Sequence, residues 1–90
     1  MDNIIENKSF DFAVRIVNLY KHLTANKREK VLSKQVLRSG TSVGANVAEA
    51  QQAQSKADFV SKMNIALKEI TETKYCINLL TATNYLTEKE

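Results

Sequence analysis

No proline interrupts this chain, and its only two glycines, Gly40 and Gly44, stand four residues apart inside LRSGTSVGANVAEA, residues 37–50. Turn-rich β proteins need both residue types at their corners, so a chain this poor in them is restricted to long, uninterrupted helices. The glycines admit two readings: a loop that cradles a phosphate, or a helix packed unusually close to a neighbour. Helical phase separates the two. Projected at about 100° per residue, Gln35, Arg38, Ser42, Asn46 and Glu49 share a polar stripe, and Leu32, Val36, Gly40, Val43, Val47 and Ala50 an apolar one. Both stripes run through the glycines without a break in phase, which a loop would not preserve. The spacing predicts one helix over 32–53. A glycine in a helix interior costs roughly 1 kcal/mol against alanine, so packing must compensate. Gly40, Gly44 and Ala48, at i, i+4 and i+8, form a flat strip where another helix can approach closely. No GxxxxGK[ST] or GxGxxG occurs, and no β-rich run precedes the glycines, so the phosphate-loop reading is weak.

The flanking segments read as helices too. Ser9 is a good N-cap, with Asp11 in the first turn where the helix dipole favours an acid. Phe12, Ile16, Leu19, Tyr20 and Leu23 then recur at helical spacing. This predicts a helix over about 9–25, with TANKREK, residues 24–30, as the connection. Ser55 can cap a third helix over 56–83, with Asp58 in capping-box position. Phe59, Met63, Ala66, Ile70, Thr73, Ile77 and Leu80 form its heptad seam, broken chemically only by Thr73. A seam this regular implies near-parallel or antiparallel neighbours. The fold class is therefore all-α: an antiparallel up-down bundle of the four-helix type, one domain over residues 1–90, with only three helices present. A domain this small buries only about 60% of its unfolded surface. The second helix is apolar or small over more than half its circumference and so needs cover on two sides. Self-association is the expectation.

Composition bounds the rest. No apolar run approaches the roughly 20 residues of a membrane span, and the N-terminus carries no basic-then-apolar secretory pattern. Cys76 is the single cysteine, so no disulfide framework exists within one chain, and a reducing cytoplasmic compartment fits best. The formal charge of +3 is unevenly placed: Lys21, Lys27, Arg28, Lys30, Lys34 and Arg38 face Glu29 alone within residues 21–38. Such a block is usually a solvated helix–loop–helix corner, and it is also what a phosphate-binding surface looks like. No aromatic residues interleave with it in sequence, so any contact would be to backbone phosphates.

Enzyme chemistry finds little support. His22 is the only histidine, and it reads as a surface residue. Glu69 and Glu72 lie three apart, but the Glu-x-x-His motif of di-metal bundles is missing. No metal, cofactor or catalytic residue is expected. Gln35, Arg38, Ser42, Asn46, Glu49, Glu69 and Glu72 read instead as a buried or half-buried polar network. In it Arg38 pairs with Glu49 or Glu69, and Ser42 and Asn46 bond across helices.

LSKQVLRSGTSVGANVAEA, residues 32–50, followed by DFVSKMNIALKEITETKY, residues 58–75, resembles the bacterial four-helix-bundle family of 23S ribosomal RNA intervening-sequence proteins. The resemblance rests on Gln35, Leu37, Arg38, Ser42, Asn46, Glu49 and Ala50, then Phe59, Lys62, Ala66, Glu69, Glu72 and Tyr75, and covers about residues 10–86. It implies a ring-like homopentamer. It also implies kinship with the accessory protein of diversity-generating retroelements, which associates with a reverse transcriptase and nucleic acid. It carries no catalytic residues. Members usually have a fourth helix, whereas this chain ends at residue 90. Thr87 and Glu90 form a capping box, T-x-x-E, with no helix after it. The expectation is a shortened form whose exposed seam on the first and third helices another chain covers.

Overall fold

The structure, a computed structural model, describes residues 4–87. Among them lie three α-helices and no strand: α1 (Ile4–Ala25), α2 (Val31–Gln51) and α3 (Lys56–Ala82). Short connections at 26–30 and 52–55 reverse the chain twice, giving the up-down antiparallel order. Glu90 of the expected capping box lies outside the described residues.

Helix α1 is already helical at Ile4, upstream of the start expected at Ser9. The segment IIENKS contains no breaker, and Ile5 continues the face of Phe12 and Ile16 two turns further. Ser9 is no cap. It is buried in mid-helix, and its hydroxyl donates to the Glu6 carbonyl at 3.0 Å, the local bond open to a helical serine. At α3, by contrast, Ser55 is an extended residue whose hydroxyl accepts from the Asp58 amide at 3.0 Å, the geometry of an N-cap. The α1 end and the α3 start fall where expected, and the other helix ends differ by one or two residues, as fraying termini do.

Helix α2 runs unbroken through both glycines, neither of which has a positive φ. It is the middle member, packed against α1 on one side and α3 on the other, while the Cα traces of α1 and α3 nowhere come within 8 Å of each other among the described residues. The two glycines do different work. A Cβ on Gly40 would lie 2.7 Å from both γ carbons of Ile16, so this position sets how closely α1 approaches. A Cβ on Gly44 would meet nothing nearer than the Ser9 carbonyl at 3.4 Å, an ordinary contact. Ala48, the third member of the strip, is exposed.

The α3 seam divides in the same way. Ala66, Thr73 and Leu80, seven apart, are buried against α2, whereas Phe59 and Ile70 remain about two-fifths exposed at 40% and 42%. Thr73, the chemical break in the heptad, has a partner across the interface: its oxygen lies 2.7 Å from Ser39 Oγ of α2. Thr73 donates to the Glu69 carbonyl at 2.8 Å, so Ser39 is the donor between the two hydroxyls. This fully buried pair is satisfied, and it fixes the register of α2 on α3.

Candidate nucleic-acid interface

One end of the bundle gathers the C-terminus of α1, the 26–30 connection, the N-terminus of α2 and the residues after α3. It is closed by Leu23, Val36 and Leu80, none of which is exposed, together with Leu86 at 4%. The basic block decorates this end. Lys21, Arg28, Lys30 and Lys34 are exposed and Lys27 is half-buried; none of the five enters an ion pair among the described residues.

The corner keeps its shape through Glu29, the one acid in the block. Arg28 adopts a left-handed φ of 57°, and the Glu29 amide donates back to the Leu23 carbonyl at 3.0 Å. The Glu29 carboxylate, 7% exposed, then accepts from the amides of Leu32 and Ser33, each at 3.0 Å. Ser33 Oγ returns a bond to the Glu29 carbonyl at 2.8 Å. Glu29 thus satisfies two of the orphan donors of the α2 N-terminus and complements its dipole. Two consequences follow. Those amides are occupied, so an incoming phosphate meets side-chain cations rather than the helix end. The single negative charge of the block is turned inward, so the surface is more uniformly cationic than the sequence balance suggests. A glutamate one turn ahead of the first periodic apolar residues was the available signal for this cap.

Arg38 does not belong to the basic surface. Its guanidinium pairs with Glu69 at 3.5 Å and with Glu72, both on α3. The polar stripe otherwise departs from the expected cross-helix network. Glu49 pairs with Lys62 at 3.0 Å rather than with Arg38, because eleven residues along α2 separate Glu49 from Arg38 by roughly 16 Å. Asn46 bonds within its own helix, donating to the Ser42 carbonyl at 2.9 Å and approaching Ser42 Oγ at 3.3 Å. The side chains of Arg38 and Glu49 are both 58% exposed, so these pairs lie at the surface, where each contributes little. Glu49 raises the Lys62 pKa through its hydrogen bond and its charge, with Asp58 adding to it against a small desolvation. Gln35 reaches the buried Cys76 thiol, Sγ to Oε1 at 3.8 Å. Desolvation pushes that thiol's pKa up, the Glu72 charge adds to the effect and Arg38 opposes it, so Cys76 is a poor nucleophile.

The opposite end is open. Because α1 and α3 pack on α2 and not on each other, a groove of about 670 Å³ lies between them, lined by Ile5, Phe12, Val43, Met63, Leu67 and Ile70 among others. Leu67 is 61% exposed on its rim. The sequence led one to expect an exposed seam on the first and third helices; here Leu67 and Ile70 of α3 are exposed and Phe12 of α1 is half-buried. Among the described residues no group of three His, Cys, Asp or Glu side chains is placed to hold a metal, and no helix is long and apolar enough to cross a membrane.

An antiparallel helical bundle with a cationic closed end and an apolar open end is the class of protein these features define. The model of the 23S rRNA-intervening sequence protein family matches residues 1–90, and the chain belongs to that family. The chain is similar to a crystal structure of a protein of unknown function from the S23 ribosomal protein family of Bacteroides thetaiotaomicron. The two are 60% identical, and the match covers 94% of this chain and 79% of that one with a TM-score of 0.93. No curated protein matches the chain.

Proposed function

We propose that the protein is a non-enzymatic, self-associating cytoplasmic bundle that binds nucleic acid through the backbone phosphates, with no cofactor. The observation that carries this reading is the set of five cations, Lys21, Lys27, Arg28, Lys30 and Lys34, without an ion pair among the described residues, on one end where Glu29 is turned inward as a helix cap. Arg38, held by Glu69 and Glu72, is not a member of the set. With three to five phosphate contacts, log K should fall against log salt with a slope of roughly −2 to −4.5. Changing Lys30 and Lys34 together to Glu should abolish binding of labelled RNA or DNA in a filter or anisotropy assay and leave the far-ultraviolet circular dichroism unchanged. Binding indifferent to salt, or no binding at low salt, removes the reading.

The open groove favours a second reading, a scaffold that docks a partner protein such as a reverse transcriptase without touching nucleic acid itself. It also supports self-association, in the five-membered ring the family resemblance implies, since an apolar strip of this length left in water is an aggregation liability. Light scattering at micromolar concentration should report an oligomer, and a stable monomer would defeat this part of the proposal.

A further inference from the structure

Tyr85 is remote in sequence from the basic block, yet the fold brings it to the same end. Helix α3 terminates in a Schellman turn. Asn84 takes a left-handed φ of 72°, its amide donates to the Thr81 carbonyl at 3.1 Å, and the Tyr85 amide donates to the Leu80 carbonyl at 2.9 Å. Asparagine tolerates that conformation better than most residues. The chain then turns inward. The Leu86 amide donates to the Leu80 carbonyl at 3.3 Å, and its side chain joins the buried cluster that contains Leu23, Val36 and Leu80. Leu23 is two residues from Lys21, and Val36 two from Lys34. With Leu86 anchored between those neighbours, Tyr85 is held by its backbone at the closed end with its side chain partly exposed, at 38%. The other aromatics lie elsewhere. Tyr20 is half-buried, Tyr75 lies seven residues, roughly 10 Å, before the end of α3, and Phe10, Phe12 and Phe59 belong to the open end.

We propose that Tyr85 is a base-stacking platform beside the cations, and that the nucleic acid bound there is single-stranded. The proposal rests on the reading that the basic end binds nucleic acid. Cations alone would hold any phosphate backbone. An exposed ring adds affinity only where a base offers its face, and in a duplex both faces are already covered by neighbouring bases. Unpaired bases stack on aromatic rings with little regard to sequence, and this is how single-strand binders supplement a cationic track.

The test uses the full chain and an oligouridylate longer than the roughly 16 nucleotides of a large single-strand site, with a duplex and an abasic strand of equal length for comparison. Tyr85→Ala should weaken oligouridylate binding by about 5- to 150-fold and leave duplex binding unaltered, whereas Tyr85→Phe should stay within about twofold of the parent because the ring is kept. Tyrosine fluorescence should be quenched by oligouridylate in the parent and much less in Tyr85→Ala. The unaltered chain should bind the abasic strand more weakly than oligouridylate, a comparison that does not depend on how Tyr85→Ala folds. Equal binding of abasic and base-bearing strands overturns the proposal, as does equal loss of single strand and duplex in Tyr85→Ala, or a Tyr85→Phe variant as weak as Tyr85→Ala. If the Lys30→Glu, Lys34→Glu chain loses binding while Tyr85→Ala keeps it, this inference alone fails. If that double variant binds like the parent, the basic-end reading fails first.

Discussion

The two ends of this bundle are built from the same three helices with the same apolar spacing, yet one is closed and the other open. At the closed end Leu23, Val36 and Leu80 are wholly buried. At the open end Ile5, Phe12, Met63, Leu67 and Ile70 line a groove of about 670 Å³. The difference lies in a fourth piece of chain. Residues 84–86 turn back after α3 and insert Leu86 into the closed end, while nothing among the described residues crosses the other. Because α1 and α3 both lean on α2 and not on each other, three helices alone leave one side of the core unfinished.

The comparison breaks most directly at its leucines. Leu80→Ala should cost about 2–5 kcal/mol, the range for truncating a fully buried leucine. Leu67→Ala on the groove rim should fall within about 0.5 kcal/mol of the parent. Urea unfolding of both variants reads the difference, and equal losses would mean that the groove is as well packed as the closed end. The glycines sharpen the same contrast along the α1–α2 contact. Gly40→Ala places a methyl against the stiff, β-branched Ile16, and should destabilise by about 1–3 kcal/mol. Gly44→Ala should instead gain about 0.5–1 kcal/mol from helix propensity. A thermal melt in which both substitutions move the midpoint the same way would show that one steric account does not serve both. The smallest effect concerns the corner. Glu29→Gln should cost about 1 kcal/mol, since the amide caps the α2 N-terminus less well than the carboxylate. The same change should tighten phosphate binding by removing the one acid of the basic block, residues 21–38. Unchanged stability would show that the cap contributes nothing.

Much of this architecture was legible in the residues, and the reasons for the rest are local. The continuity of α2 followed from two stripes holding phase through Gly40 and Gly44, a signal that needs no tertiary information. Membership of the family was likewise readable in residues 32–50 and 58–75. Ser9 misled because a serine before an apolar run looks like a cap until the run is seen to extend upstream through Ile5. Glu29 was counted as a charge because its capping role depends on Arg28 entering a left-handed turn. The polar stripe pairs Arg38 with Glu69, one of its two expected partners, but Glu49 goes to Lys62 and Asn46 bonds within α2, since which side chains meet depends on the register of α2 against α3. Ser39 and Thr73 hold that register from inside the interface; Thr73 was visible as the break in the α3 heptad, but nothing in the sequence pointed to Ser39 as its partner.

By itself, then, the sequence determined the elements: three long helices, their amphipathic faces, the antiparallel order that short connections impose, and a cluster of cations around one turn. These are properties of spacing along a chain, and spacing survives without coordinates. Only the tertiary structure decided which half of the α3 seam is buried, which glycine is sterically required, where Arg38 spends its charge, and that Tyr85 shares an end with the lysines. Each of those depends on distances between residues far apart in sequence, set by how closely Gly40 admits α1 and where Leu86 finds room to insert.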